Sequence, residues 1–144
     1  MRQLLALLNL LLATALLGCG ADPLADRAAK GKIAEESLNA GLQAYQSKDF
    51  ETAAAQLKQA CDAGTLILDL QIDARLKRAV ALAHLGQFDV ALGELAELEK
   101  GAPHLEHVYA ARSFVFKKQG KQAEALAEFA RAKKLSPSIQ PISE

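Results

Sequence analysis

Two histidines and a glutamate lie close together in the segment His104-Leu105-Glu106-His107. Side chains three positions apart share one face of a helix, and histidine and carboxylate groups are common zinc ligands. The segment supplies only part of a ligand set, and no further ligand is evident elsewhere in the sequence. We therefore expect it to be the solvated start of a helix, and we predict neither a metal ion nor another cofactor.

The other reactive side chains are isolated from one another. His84 is expected on a helix that faces a groove or the adjoining turn, and no serine or cysteine nucleophile motif accompanies it. Cys61 is expected to be buried late in a helix, which would protect a lone thiol in an oxidising compartment. The sequence has no recognisable phosphate loop, zinc-type spacing or paired-carboxylate motif. It therefore predicts a protein that is not an enzyme.

The composition allows one modest domain. The chain has 144 residues, 51% of them hydrophobic, and no tryptophan. Part of that hydrophobicity belongs to the first 17 residues and not to a core. The formal net charge is zero and no long basic run is present, which argues against nucleic-acid binding.

Residues 1–19 are typical of an export signal. Arg2 gives a weakly positive start, and residues 4–17 form a leucine and alanine run that is shorter than the roughly 20 residues of a membrane-spanning helix. The run ends in Leu16-Leu17-Gly18-Cys19, which resembles the bacterial lipobox. The resemblance implies that the signal peptide, residues 1–18, is removed and that Cys19 is lipidated. An ordinary cleaved signal peptide or an uncleaved anchor is the alternative.

The lipobox resemblance also implies a location. Diacylglycerol together with an amide-linked chain such as palmitate would anchor the protein stably, because one acyl chain alone binds only marginally. Gly20 follows the cysteine, whereas an aspartate there usually retains lipoproteins of Gram-negative bacteria at the inner membrane. In a Gram-negative host we therefore expect an outer-membrane lipoprotein that faces the periplasm. Residues 19–33 would be its lipidated N terminus and a short helical turn or flexible tether, interrupted at Gly31.

The segment from Ile72 to Leu105 belongs to a pattern that occurs three times in the chain. Its Gly86-Gln87-Phe88 ends one helical pattern and begins another, and related residues recur 34 positions later and 38 positions earlier. The three sets are Gly86, Phe88, Ala91, Leu95, Leu98 and Pro103; Gly120, Ala125, Phe129, Ala132 and Pro137; and Lys48, Phe50, Ala53, Leu57 and Ala60. Near-constant spacing predicts stacked helical hairpins that bury their faces against one another.

This period, with its alternation of small and large residues, resembles the tetratricopeptide repeat (TPR) over residues 34–138. The resemblance implies an all-α, right-handed α-solenoid of three hairpins, residues 34–71, 72–105 and 106–138, followed by a C-terminal tail, residues 139–144. Glycine suits the turn within each hairpin because it accepts positive φ, so the first turn, which has Lys48, is expected to be slightly strained or of another type. The apolar run at residues 65–70 is expected to start a helix near Leu66 and to bury its leucines. A partner-binding lip is the alternative for that run.

Arg78 and Arg112 occupy equivalent places where TPR sequences usually have an apolar or small residue. We expect their stems to pack against the helices while their charged heads stay in water. The alternative is that they belong to a binding feature of this protein.

In TPR proteins, the first helices of the hairpins line a concave groove that holds an extended or helical peptide. The groove carried over to this chain consists of Leu38, Leu42, Tyr45, Gln46, Leu76, Val80, His84, Phe114, Lys117 and Lys118. These residues would form a mainly apolar trough with a basic end, which implies an amphipathic or extended apolar ligand with acidic residues at one end. The alternative is that part of this lining is internal packing.

The last residues of the chain are too few and too rich in proline for the capping helix that usually ends a TPR array. Either Ile139 and Ile142 lie back over the third hairpin, or the face around Leu126 and Phe129 is open to a second copy or a partner. The expected function is a non-enzymatic protein–protein interaction adaptor at the outer membrane, which would aid assembly of a pilus, secretin or other envelope complex. A small self-associating structural lipoprotein is the alternative.

Overall fold

The computed structural model describes residues 22–143, which form six helices and no strand. The helices are α1 (Pro23–Gln46), α2 (Phe50–Asp62), α3 (Leu68–His84), α4 (Phe88–Glu99), α5 (Leu105–Lys118) and α6 (Gln122–Leu135). Each odd-numbered helix packs against the even-numbered helix that follows it, and α3 also contacts α1, α2 and α5. The predicted all-α stack of three helical hairpins is therefore confirmed. The predicted signal peptide, Cys19 and Glu144 lie outside the described residues.

The three turns within the hairpins share one geometry. Lys48, Gly86 and Gly120 have φ angles of 62°, 73° and 76°, which are left-handed. In each turn, the amide of the next residue donates to the carbonyl oxygen five positions earlier at 2.9 Å, as in a Schellman motif. The prediction of strain at Lys48 is confirmed, because a residue with a Cβ occupies a conformation that favours glycine.

Helix α1 begins earlier than the sequence predicted. The Asp22 carboxylate accepts a hydrogen bond of 3.0 Å from the amide of Leu24, and Pro23 is the first helical residue. Instead of a short turn or flexible tether, residues 23–33 are continuous helix. The prediction gave too much weight to Gly31, because a single glycine inside a helix costs only about 1 kcal/mol. Here its surroundings are open, since an added Cβ would have nothing within 4 Å.

The apolar run at residues 65–70 contains one packed leucine and several exposed apolar residues. Leu66 packs against the buried cluster of Leu38 and Leu57, as predicted. The expectation that the whole run would be buried is wrong, because α3 begins only at Leu68 and both Ile67 and Leu68 are exposed. Leu66 lies before the helix begins, so its packing does not determine which way Ile67 and Leu68 face.

Small residues lie where the helices of each hairpin cross. Ala53, Ala91 and Ala125 are buried, as the repeat pattern predicted. The largest fully buried side chains are Leu57, Leu95, Val108 and Val115. The core is therefore continuous through the three hairpins and is built from medium-sized aliphatic groups around alanines.

Gly41 marks a close approach of α1 to α2. A Cβ at this position would lie 2.8 Å from Cγ of Leu57 and 3.0 Å from its backbone nitrogen. We expect Gly41→Ala to lower the free energy of unfolding by about 1–3 kcal/mol, because overpacking outweighs the better helix propensity of alanine. Urea denaturation would measure the change.

The matched control is Gly93→Ala in α4, where an added Cβ would have nothing within 4 Å. This change should raise the free energy of unfolding by about 0.5–1 kcal/mol through helix propensity alone. A shift of the same sign in both variants would contradict the close approach of α1 to α2.

Candidate functional site

A cleft of about 900 Å³ lies between α3, α5 and the residues that follow α6. Helix α3 contributes Ile72, Leu76 and Val80 to its lining, and α5 contributes Ala110 and Ala111. The three α3 residues are spaced four positions apart, so they form one stripe along the helix. The small alanines of α5 leave room opposite this stripe. The result is an apolar trough between the first helices of the second and third hairpins.

The rim of the cleft carries charges of both signs. Asp69, Asp73 and Lys77 form a second stripe on α3, beside the apolar one, and the Lys77 ammonium donates a hydrogen bond to the Asp73 carboxylate. His104 and His107 lie on the opposite side of the cleft. Because the rim is mixed and partly self-paired, it does not select a strongly charged ligand.

Tyr45 of α1 closes one end of the cleft. Burial raises the pKa of its hydroxyl, and the nearby Asp73 carboxylate adds to this effect. The phenol therefore stays protonated at neutral pH and is available as a hydrogen-bond donor or acceptor. It is one of the polar groups of the cleft that can give a ligand a neutral hydrogen bond.

The His104–His107 segment forms the start of α5. Nδ1 of His104 lies 3.3 Å from Oε1 of Glu106, and the Glu106 carboxylate has its pKa lowered chiefly by a hydrogen bond from its own backbone amide. Within residues 22–143, no group of three or more histidine, cysteine, aspartate or glutamate side chains is arranged to hold a metal ion.

The predicted groove residues occupy several different environments. Tyr45, Leu76 and Val80 line the cleft. Leu38 is buried among Leu57, Ala60 and Ala74, and Leu42 packs against the same cluster. For Leu38 and Leu42 the structure matches the alternative of internal packing.

Phe114 is buried and His84 is half-buried, and neither belongs to the cleft lining. The His84 ring stacks on the ring of Phe50 with centroids 3.8 Å apart and planes 5° apart. Its other neighbour is Phe114, whose centroid lies 5.2 Å away and whose side chain is only 2% exposed. These three rings join the three hairpins, so their visible role is to hold the stack together.

The predicted basic end of the groove does not form part of the cleft. Lys118 Nζ lies 5.6 Å from the centroid of the Phe114 ring, in a cation–π arrangement. Lys117 and Gln46 are exposed. Contact of these residues with a partner stays a prediction, but the cleft itself gives no reason to expect acidic residues at one end of the ligand.

Arg78 and Arg112 form ion pairs within the chain. Nη1 of Arg78 lies 2.8 Å from the Glu94 carboxylate, and Nη2 of Arg112 lies 2.7 Å from that of Glu99. Arg112 also reaches Glu128 on α6 at 3.4 Å. Both arginine side chains are largely shielded from water, so the expectation that their charged groups stay in water is wrong. They connect neighbouring helices and lie outside the cleft lining.

Cys61 lies late in α2, as predicted, but is half-buried and not fully buried, and its sulfur lies 4.0 Å from the carbonyl oxygen of Gln71. Burial raises the pKa of the thiol, with a smaller contribution from Glu94. A raised pKa disfavours the thiolate, which is the reactive form. The environment is therefore that of a structural cysteine.

The segment after α6 lies back on the folded stack, which is the first of the two alternatives given for its isoleucines. Ile139 packs against the cluster of Tyr109, Ala110 and Ala132 in the third hairpin, as predicted. Ile142 extends further and packs against the main core cluster, and both isoleucines form part of the cleft lining. Their spacing of three was the available signal, but the surface that receives them is formed only in the folded stack.

Comparison with known proteins gives one family match. A family model described as bacterial transcriptional activator domain (BTAD) matches residues 14–138, a range that includes all six helices. This family has a helical, TPR-like fold, and no TPR or lipoprotein family was identified. No curated protein and no solved structure matches the chain.

Proposed function

The chain belongs to the bacterial transcriptional activator domain family, and we propose that it is a non-enzymatic adaptor that binds a protein segment in the cleft between α3 and α5. The observation that carries the proposal is the apolar stripe of Ile72, Leu76 and Val80, which faces a cleft of about 900 Å³. Stacked helical hairpins commonly use such concave surfaces to bind peptides. The ligand is an extended or amphipathic apolar segment.

The proposal includes a location at the outer membrane, facing the periplasm, through a lipid on Cys19. It rests on the leucine-rich start of the chain and on the Leu16-Leu17-Gly18-Cys19 sequence. Within residues 22–143, no helix is long and apolar enough to cross a membrane. An adaptor held there would aid assembly of a pilus, secretin or other envelope complex.

A second candidate function follows from the description of the family, which names transcriptional activation. The two candidates differ in where the protein works. Fractionation of cells fed radiolabelled palmitate, with the wild type and Cys19→Ala side by side, separates them. The adaptor proposal expects a labelled wild type in the membrane fraction and an unlabelled variant outside it. A wild-type chain that is unlabelled and soluble in the cytoplasm would favour the transcriptional role.

The binding proposal is tested by capture from an envelope extract with the full chain, its Leu76→Gln variant and its Leu126→Gln variant. Leu76 lines the cleft and is half-buried, whereas Leu126 on α6 is 62% exposed and lies outside the lining. We expect Leu76→Gln to reduce partner recovery at least about tenfold, since loss of a buried aliphatic contact is worth roughly 1.5–3 kcal/mol. Circular dichroism would verify that both variants keep their helices.

Equal recovery by Leu76→Gln and the wild type would exclude the cleft as the binding site. The structural alternative predicts instead that no partner is recovered and that the chain sediments as a dimer. In that case the exposed face around Leu126 and Phe129 would carry the contact, and Leu126→Gln would shift the equilibrium toward the monomer.

A further inference from the structure

The segment that follows α6, residues 136–143, lies along the proposed binding cleft. Five of its residues belong to the lining: Ser136, Ser138, Ile139, Gln140 and Ile142. Ile139 contacts the cluster that contains Tyr109 and Ala110, and Ile142 contacts the main core cluster. Part of the surface assigned to a partner is thus already covered by the protein's own chain.

The hydrogen bonds of this segment stay local in the described part of the chain. Nζ of Lys133 donates to the carbonyl oxygen of Pro137 at 2.9 Å, and the amide of Ile139 donates to that of Ser136 at 3.1 Å. The side-chain amide of Gln140 donates to the carbonyl oxygen of Ser138 at 3.1 Å. Contact with the cleft walls therefore depends on the two half-buried isoleucines. Such a contact is reversible, because little besides their burial holds the segment in place.

The composition of the segment shows what the cleft accepts. Residues 136–143 read Ser-Pro-Ser-Ile-Gln-Pro-Ile-Ser and carry no charged side chain. The two prolines exclude a regular helix, so the aliphatic side chains are presented from an extended backbone. The mixed rim of Asp69, Asp73 and Lys77 gives an uncharged segment no repulsive contact. An extended, uncharged segment with isoleucines three positions apart is therefore complementary to this surface.

We propose that residues 136–143, as one wall of the cleft, cover part of its binding surface, and that the partner is an extended, uncharged peptide segment with aliphatic side chains three positions apart that displaces them. The inference rests on the proposed function, because it specifies the ligand of the same site. A tethered occupant has an effective concentration on the order of millimolar. The apparent affinity of the partner then equals its intrinsic affinity multiplied by the fraction of molecules in which the cleft is open.

The test uses a synthetic peptide of residues 136–143 and the full chain in a mild detergent, observed through the methyl resonances of Leu76 and Val80. The chain is compared as wild type, as Ile139→Asp/Ile142→Asp, and as the charge-matched control Pro137→Asp/Ser143→Asp. We expect saturable shifts in the isoleucine double variant. We expect at least tenfold weaker binding in the wild type and the control, where the native segment still covers the site. Replacing both isoleucines of the peptide by aspartate should abolish the shifts.

Binding of equal strength to all three chains would overturn the inference, and so would absence of binding to a double variant whose spectrum is otherwise native. Ile142→Asp alone serves the same comparison if the double variant does not fold. Because the probe is the chain's own sequence, this result does not depend on finding a partner. In the capture experiment, the double variant should also retain more partner than the wild type, and equal retention would exclude competition.

Discussion

Replacing Arg112 by methionine is expected to lower the free energy of unfolding by about 2–4 kcal/mol. The Arg112 side chain is only 11% exposed, and its guanidinium pairs with Glu99 at 2.7 Å and with Glu128 at 3.4 Å. Methionine keeps most of the apolar stem but leaves two shielded carboxylates without their main partner. Breaking a fully buried pair costs about 3–5 kcal/mol. The lower range applies here because Glu99 is partly solvated and Arg131 still contacts both carboxylates.

The same variant has a defined pH dependence. The Arg112 guanidinium, through its hydrogen bond, holds the pKa of Glu99 below its ordinary value. A carboxylate whose pKa is lowered by folding stabilises the protein at pH values above the unfolded pKa, about 4.3, and this contribution is lost as pH falls through the lowered pKa. Urea denaturation at pH 7 and near pH 3 should therefore show a large difference between wild type and variant at pH 7 and a smaller one near pH 3.

Arg131→Met is the matched control for this prediction. Arg131 contacts the same two carboxylates and the Tyr109 hydroxyl, but its side chain is 44% exposed. Exposed ion pairs contribute about 0–1 kcal/mol. Equal losses in the two variants, or a loss for Arg112→Met that does not change with pH, would show that charge pairing is not what Arg112 contributes.

The ion pairs show that the 34-residue repeat applies to charged side chains as well as to the residues that form the core. The pairs Arg78–Glu94 and Arg112–Glu128 each span 16 positions, so the same contact recurs in the second and third hairpins. The sequence singled out the two arginines as equivalent. Their acidic partners were missed because neither glutamate belongs to the small–large pattern that defined the repeat. Applying the 34-residue period to charged residues would have found both pairs.

The turns were predictable because their causes are local, and the start of α1 also has a local cause, although the prediction placed it later. Lys48, Gly86 and Gly120 end helices through the φ angle of a single residue, and Asp22 and Pro23 begin α1 through adjacent groups. The lining of the cleft depends instead on how each helix is rotated against its neighbours. One residue corresponds to about 100° of rotation, so carrying over family positions placed Leu38 in the groove although it points into the core. The contact of Ile142 with the cleft is likewise tertiary: the spacing of the two isoleucines suggested that they pack, but not which surface receives them.

Phe114→Ala is expected to lower the free energy of unfolding by about 3–5 kcal/mol, the usual range for truncation of a buried aromatic side chain. Phe114 is 2% exposed, lies 5.2 Å from His84 between ring centroids, and has Lys118 Nζ 5.6 Å from its own centroid. Its removal would leave a cavity and also end the chain of aromatic contacts that runs through His84 to Phe50. Chemical denaturation followed by circular dichroism would measure the loss.

The control is Phe116→Ala on the same helix, where the ring is only half-buried and Lys121 lies 5.8 Å from its centroid. This truncation should lower the free energy of unfolding by about 1 kcal/mol, because the Phe116 ring buries less apolar surface when the protein folds. The comparison decides between the two roles considered for Phe114. A large loss of stability specific to Phe114 identifies it as a core residue of the stack. Similar small losses in both variants, with capture of the partner abolished only by Phe114→Ala, would instead place its ring on the binding surface.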